Sequence, residues 1–178
     1  MKISKSFKIY IHIIFVFLIS NTVLANDDFS KNVVIYEKPK VIKELKFKDL
    51  NLQDVDLTNK KGNIMILNFW ATWCVPCKKE LPDLSLLDQK LENYKIDVLT
   101  ISIDKKNIKD QVKFLLTNGA SNLTHFFDKE MSIFRAMKLR GVPTTILVDK
   151  TGLVISKHEG ILKWSEDKVL KEIVNLLN

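Results

Sequence analysis

Cysteine, arginine, glycine and proline are all scarce in this sequence. Two cysteines in 178 residues cannot knit a multi-disulfide mini-protein or fill a four-thiolate zinc site. Five glycines and four prolines exclude collagen-like and low-complexity chains. Only Arg135 and Arg140 stand among the 28 basic residues. The guanidinium fork that suits phosphate and guanine is therefore nearly absent, and nucleic acid is not an expected partner. No apolar run reaches the ~20 residues of a comfortable membrane span, and no internal repeat is visible. The net charge of +7 is concentrated at one end: Lys2, Lys5 and Lys8 precede any acid, and the chain after residue 25 holds 25 basic against 21 acidic residues, a net of +4. What is present, 46% hydrophobic and 28% charged residues, is the balance of one globular domain.

The N-terminal lysines lead into an apolar run of 11 residues, Ile9 to Ile19, broken only by His12. Its length fits the h-region of a secretory signal. Val23-Leu24-Ala25 supplies a small-residue cleavage pattern. Residues 1–25 are read as a signal peptide cut after Ala25, or as an uncleaved anchor formed by residues 9–24. Either places the remainder outside the cytoplasm, in a periplasm or an equivalent extracytoplasmic space. Residues 26–40, polar and reaching Pro39, are expected as a tether, and 41–178 as the domain.

Leu45 to Leu57 alternates apolar and polar residues around Asn51, which predicts a hairpin. Ile64–Trp70 and Ile96–Ile103 are apolar runs that predict central strands buried on both faces. Between them, Leu81, Leu84, Leu87 and Leu91 keep helical spacing, with Pro82 predicting a kink. Asn107–Leu116 predicts an amphipathic helix with Ile108, Val112, Leu115 and Leu116 inward and a row of lysines in solvent, stopped by Gly119. A short strand at His125–Phe127 and a short helix at Met131–Leu139 follow. Thr144–Asp149 and Leu153–His158 predict a hairpin, and Ser165–Leu177 a closing helix with Ser165 as its N-cap. This order describes an α/β sandwich with a mixed sheet.

Both cysteines fall where the first buried strand gives way to the first long helix, in Trp73-Cys74-Val75-Pro76-Cys77. If the helix begins at Cys74, spacing of i, i+3 puts both sulfurs on one face, close enough to bond. The helix N-terminus offers free amides and a partial positive charge. These favour a thiolate on Cys74, making it the attacking sulfur and Cys77 the resolving one. Pro76 suits a first turn, where no amide donor is lost. Three plainer readings compete. A structural disulfide across so short a loop would remove only ~2 kcal/mol of chain entropy. A zinc site would need both His125 and His158 as further ligands. Two unpaired core cysteines fit poorly with export.

Phe69-Trp-Ala-Thr-Trp-Cys-Val-Pro-Cys77, with Gly141-Val-Pro143-Thr-Thr145 downstream, resembles the thioredoxin-like superfamily. The match is nearest to the exported TlpA/ResA/CcmG-type thiol–disulfide oxidoreductases and covers roughly residues 40–178. The resemblance implies a thioredoxin fold: a mixed central sheet flanked by helices, with an N-terminal β-hairpin extension and an insertion between the second core strand and the cis-Pro hairpin. It implies that Pro143 is cis and faces the disulfide, leaving the backbone of Val142 to pair with a substrate chain. Asn68 stands where thioredoxins carry a buried Asp, and Asn cannot take a proton. Glu80 is then either the proton acceptor for the resolving thiol or a solvated surface residue paired with a lysine. Trp73 is expected to line the face around the disulfide, Trp70 to be core, and Trp164 to be packing.

No cofactor or metal is implied. The expected partners are protein disulfide clients, such as apocytochrome c or an oxidase copper-site subunit. With no third cysteine in the sequence, a membrane thiol reductase is expected to recycle the pair. A monomer is expected. Two alternatives remain: a copper carrier of the oxidase-assembly type, which normally needs wider cysteine spacing and a distant His, and a peroxiredoxin-like peroxidase, whose reactive cysteine lies in a different motif.

Overall fold

The structure, a computed structural model, describes residues 33–42, 45–60 and 62–176. The export segment expected over residues 1–25 and the start of the tether lie outside the described residues. Among the described residues eight strands form one sheet: β1 Val33–Val41, β2 Lys46–Lys48, β3 Asp54–Asp56, β4 Ile64–Trp70, β5 Ile96–Ser102, β6 Thr124–Phe127, β7 Thr144–Val148 and β8 Leu153–Glu159. Among the described residues four α-helices accompany them, α1 Val75–Lys90, α2 Ile108–Thr117, α3 Ser132–Ala136 and α4 Asp167–Leu176, with a 3-10 turn at Leu57–Asn59. The strand order is β1-β8-β7-β4-β5-β6-β2-β3.

β4, β5 and β6 run parallel, because helices carry the chain back between them. β7 and β8 form an antiparallel hairpin beside β4. This is the thioredoxin-like mixed sheet flanked by helices. The leading hairpin is β2–β3, with Phe47 opposite Val55, and it attaches to the far side of the sheet through Lys48 and Phe127. The expected insertion between β5 and the β7–β8 hairpin consists of α2, β6 and α3.

β4 is central and its last six residues are buried, as a strand sandwiched between helical layers requires. Trp70, at its end, stacks on Phe114 of α2 with ring centroids 5.5 Å apart. Phe69 meets Phe47 and Phe134 edge-on on the other side. β4 thus delivers the cysteine turn from a strand buried along nearly its whole length.

Three local details differ from the sequence reading. From Val33 onward the expected tether is the edge strand β1, paired antiparallel with β8. Most of its side chains face solvent, Val34, Ile35 and Val41 among them. Leu116 is exposed, and Gln111 takes the inward place on α2; its amide donates to the carbonyls of Asp104 and Lys106. α4 begins at Asp167, and Ser165 gives its amide and hydroxyl to Asp83 instead of capping that helix. Hydrophobic period fixes which elements exist but carries no information on such side-chain partners from distant segments.

Candidate functional site

The chain leaves β4 through Ala71-Thr72-Trp73 and enters α1 at Cys74. Asp104, just beyond β5, holds this turn by accepting from the Thr72 amide at 3.0 Å and from its hydroxyl. Cys74 is the N-cap of α1 in extended conformation, and its Sγ accepts from the Cys77 amide at 3.1 Å. A sulfur therefore takes the place a Ser or Asp oxygen usually fills, where the helix amides stabilise negative charge. Pro76 lies in the first turn. Cys74 and Cys77 are joined in a disulfide with Cα atoms 5.3 Å apart. Both cysteines are buried, Cys74 keeping 3% of its surface and Cys77 1%.

The peptide between Val142 and Pro143 is cis. Gly160 donates to the Pro143 carbonyl at 2.9 Å, and the Thr144 hydroxyl donates to the Gly141 carbonyl at 2.7 Å. These bonds fix the loop on either side of Val142, whose own amide and carbonyl enter no backbone pair among the described residues. Arg140 beside it is held by Glu159, which also accepts from Lys157 at 2.7 Å. The Arg140 guanidinium first, then Lys157, hold the Glu159 carboxyl down at about 2.

An open groove of about 390 Å³ is lined by Trp73, Ile103, Lys105, Met131, Phe134 and Val142, with Arg140 also at its wall. Trp73 is 64% exposed. Of the sequence-predicted residues, Trp73 and Val142 line this groove, while Cys74, Cys77 and Glu80 are buried.

Glu80 is not a surface residue paired with a lysine: it is 1% exposed. Asn68 of β4 donates to its Oε2 at 3.3 Å, and the Trp164 indole donates to its Oε1. Burial pushes its carboxyl up to about 7, against the pull of the Trp164, Asn68 and Leu162 donors. Trp164, expected as packing only, is thus a polar partner of the site. No local pattern could have signalled a contact across 84 residues.

His125 and His158 lie on β6 and β8, four places apart in the sheet, or roughly 19 Å at the usual strand spacing. They cannot join the cysteine pair in one tetrahedral site. Each is used locally. Burial pushes the His125 imidazole down to about 4, with its Nδ1 2.6 Å from the Thr100 hydroxyl. His158 packs edge-on against Trp164.

Residues 40–157 match the family model described as the AhpC/TSA family. The chain belongs to the AhpC/TSA family. Among relatives of this AhpC/TSA member, a thiol-disulfide oxidoreductase ResA of Bacillus cereus is 31% identical over 112 residues, 63% of this chain and 64% of that protein. The chain thus spans somewhat less than two thirds of that relative's length. ResA of Bacillus subtilis (strain 168) is 26% identical over 129 residues, 72% of this chain and 69% of that protein. A Chlorobium tepidum protein, thought to be a thiol:disulfide interchange protein DsbE, superposes with a TM-score of 0.70 at 27% identity, covering 80% of this chain and 99% of that one. These similarities place the chain with the TlpA/ResA/CcmG-type proteins.

Proposed function

We propose that this protein is an extracytoplasmic thiol–disulfide oxidoreductase that reduces disulfides in protein clients. The observation that carries the reading is the Cys74–Cys77 disulfide at a helix N-terminus, next in sequence to Trp73, which lines a solvent-open groove together with Val142 of the cis-Val142–Pro143 peptide. In the reduced protein the Cys74 thiolate attacks a client disulfide. One client sulfur bonds to Cys74 and the other leaves as a thiolate. Cys77 then gives its proton to Glu80 and displaces the bound client sulfur, closing the Cys74–Cys77 disulfide. Two electrons pass to the client, and the chain is left oxidised. With two cysteines in all, regeneration falls to an external dithiol, for which a membrane thiol reductase is suited.

The direction rests on similarity to ResA and DsbE-like proteins. Apocytochrome c haem-site cysteines, or copper-site cysteines of an oxidase subunit, are the clients it favours. Export is supported by the basic, apolar and small-residue order of residues 1–25. Among the described residues no helix is long and apolar enough to cross a membrane. Equilibration with glutathione or dithiothreitol tests the direction: a reduction potential near about −270 mV is expected, and one near about −120 mV would mark an oxidant instead.

Trp73 and the Val142 backbone serve the client. An extended client segment lies along the cis-Pro loop, with an apolar side chain in the groove beneath Trp73. Trp73→Ala should raise KM for a protein client about tenfold. It should leave reduction of a small aromatic disulfide and the thermal midpoint nearly unchanged, because the ring is exposed. Equal loss on both substrates would remove Trp73 from client binding.

A further inference from the structure

The two oxygens of the Glu80 carboxylate are held by separate parts of the fold. Oε2 receives the Asn68 amide from β4, and Oε1 receives the Trp164 indole from the segment between β8 and α4. Trp164 and Glu80 are both buried, so these donors, with the Leu162 amide, stand in for water around a charged group. The indole is delivered by a clasp. Asp83, i+3 to Glu80 on α1, accepts from the Ser165 amide at 3.0 Å and from the Ser165 hydroxyl. Two neighbouring residues of a distant segment are thus tied to two carboxylates on one face of the cysteine helix. Asn68 gives its amide also to the Thr145 hydroxyl at 3.0 Å, two residues beyond Pro143. The cis-Pro strand, the acid and the clasped indole therefore form one continuous hydrogen-bonded line.

We propose that Trp164 is a positioning residue for the resolving step: its indole N–H, clasped through Ser165 and Asp83, holds the Glu80 carboxylate in the ionised form that accepts the Cys77 proton. The inference rests on the reading of Glu80 as that acceptor. The step moves the Cys77 proton to a Glu80 oxygen. The Cys77 electron pair forms the bond to Cys74 sulfur, and the Cys74–client bond breaks with its pair on the client sulfur. The groups around the acid act in opposite directions. Burial and the like charge of Asp83 on its own helix favour neutral Glu80; the Asn68, Trp164 and Leu162 donors favour the carboxylate. His158 of β8 touches the far side of Trp164, with ring centroids 5.7 Å apart.

The test is Trp164→Phe, and site-specific replacement of Trp164 by benzothienylalanine, which keeps the bicyclic shape but has no N–H. Glu80 ionisation is read by infrared difference titration against Glu80→Gln, and resolution of a preformed Cys74 mixed disulfide by stopped flow. Either replacement should move the Glu80 titration up by about one pH unit and slow resolution about fivefold at pH 7. In a Glu80→Gln background neither should alter the pH profile further. An unmoved Glu80 titration, or an equal rate loss in both backgrounds, overturns the proposal and leaves the reading of Glu80 intact. A moved titration with no change in resolution supports the indole's hold on Glu80 and instead overturns Glu80 as the proton acceptor. Benzothienylalanine separates loss of the donor from loss of packing should the Phe variant fold poorly.

Discussion

A Cys77→Ala variant should stop with a client protein covalently bound through Cys74. The first attack needs only the sulfur at the helix N-cap, whose accepted amide bond from position 77 is a backbone bond that Ala preserves. The second needs a thiol one turn further on, and Ala has none. Turnover against a disulfide protein such as insulin should fall on the order of a thousandfold or more, as with loss of other nucleophiles. A mixed disulfide sensitive to dithiothreitol should accumulate, and in the native host it identifies the client. Cys74→Ser should lose the same turnover and trap nothing. The asymmetry is the informative part. Cys74 caps the helix next to the groove residue Trp73, whereas Cys77 is already inside the first turn. Trapping on Cys77 in a Cys74→Ala variant, with none on Cys74 in the Cys77→Ala variant, would reverse the roles.

The frame of the molecule was legible because its elements announce themselves locally. The apolar runs of β4 and β5 can only be strands covered on both faces, and the leucine spacing of α1 can only be a helix. The cysteine turn between them is a contiguous motif, and so is Gly141-Val142-Pro143. What stayed hidden depends on side chains meeting across the fold. Residue 80 gives no sign of whether it faces solvent, since Glu80 follows two lysines on a helix that is otherwise half polar. Its burial comes from Asn68 on one side and Trp164 on the other, a residue that reads as packing from its neighbours. β1 was obscured because its apolar residues, Val33-Val34-Ile35-Tyr36 and Val41, do not alternate with polar ones and are separated by Glu37-Lys38-Pro39-Lys40; its place at the sheet edge comes from pairing with β8, far along the chain. Ser165 looks like a helix cap until Asp83 is seen to claim both its donors.

Stability of the oxidised protein should fall as pH rises from 4.5 through 7, and Glu80→Gln should remove that slope. The Glu80 carboxyl is raised from 4.5 to about 7, so between these values the folded state holds a proton that the unfolded state has released. Stability is then complete below 4.5 and declines as the pH passes through 7, the reverse of a salt-bridged carboxylate. Because Glu80 is almost wholly buried, solvent screening takes little from the effect, which approaches about 3 kcal/mol above pH 8. Gln removes the buried charge but turns its own N–H toward one of the two donors that now face carboxylate oxygens, at a cost of about 1–2 kcal/mol. The two stability curves should therefore cross: the variant weaker at pH 4.5, and stronger than the native chain by about 1–2 kcal/mol at pH 8.5. Urea unfolding at fixed intervals across that range measures both curves, and a flat native curve would show that Glu80 carries no such burden. The same substitution should slow resolution of the mixed disulfide about a hundredfold at pH 7. A residue that weakens the fold while speeding the chemistry is what proton acceptance demands here: a carboxylate hydrated well enough to be harmless would have too low an affinity for the Cys77 proton.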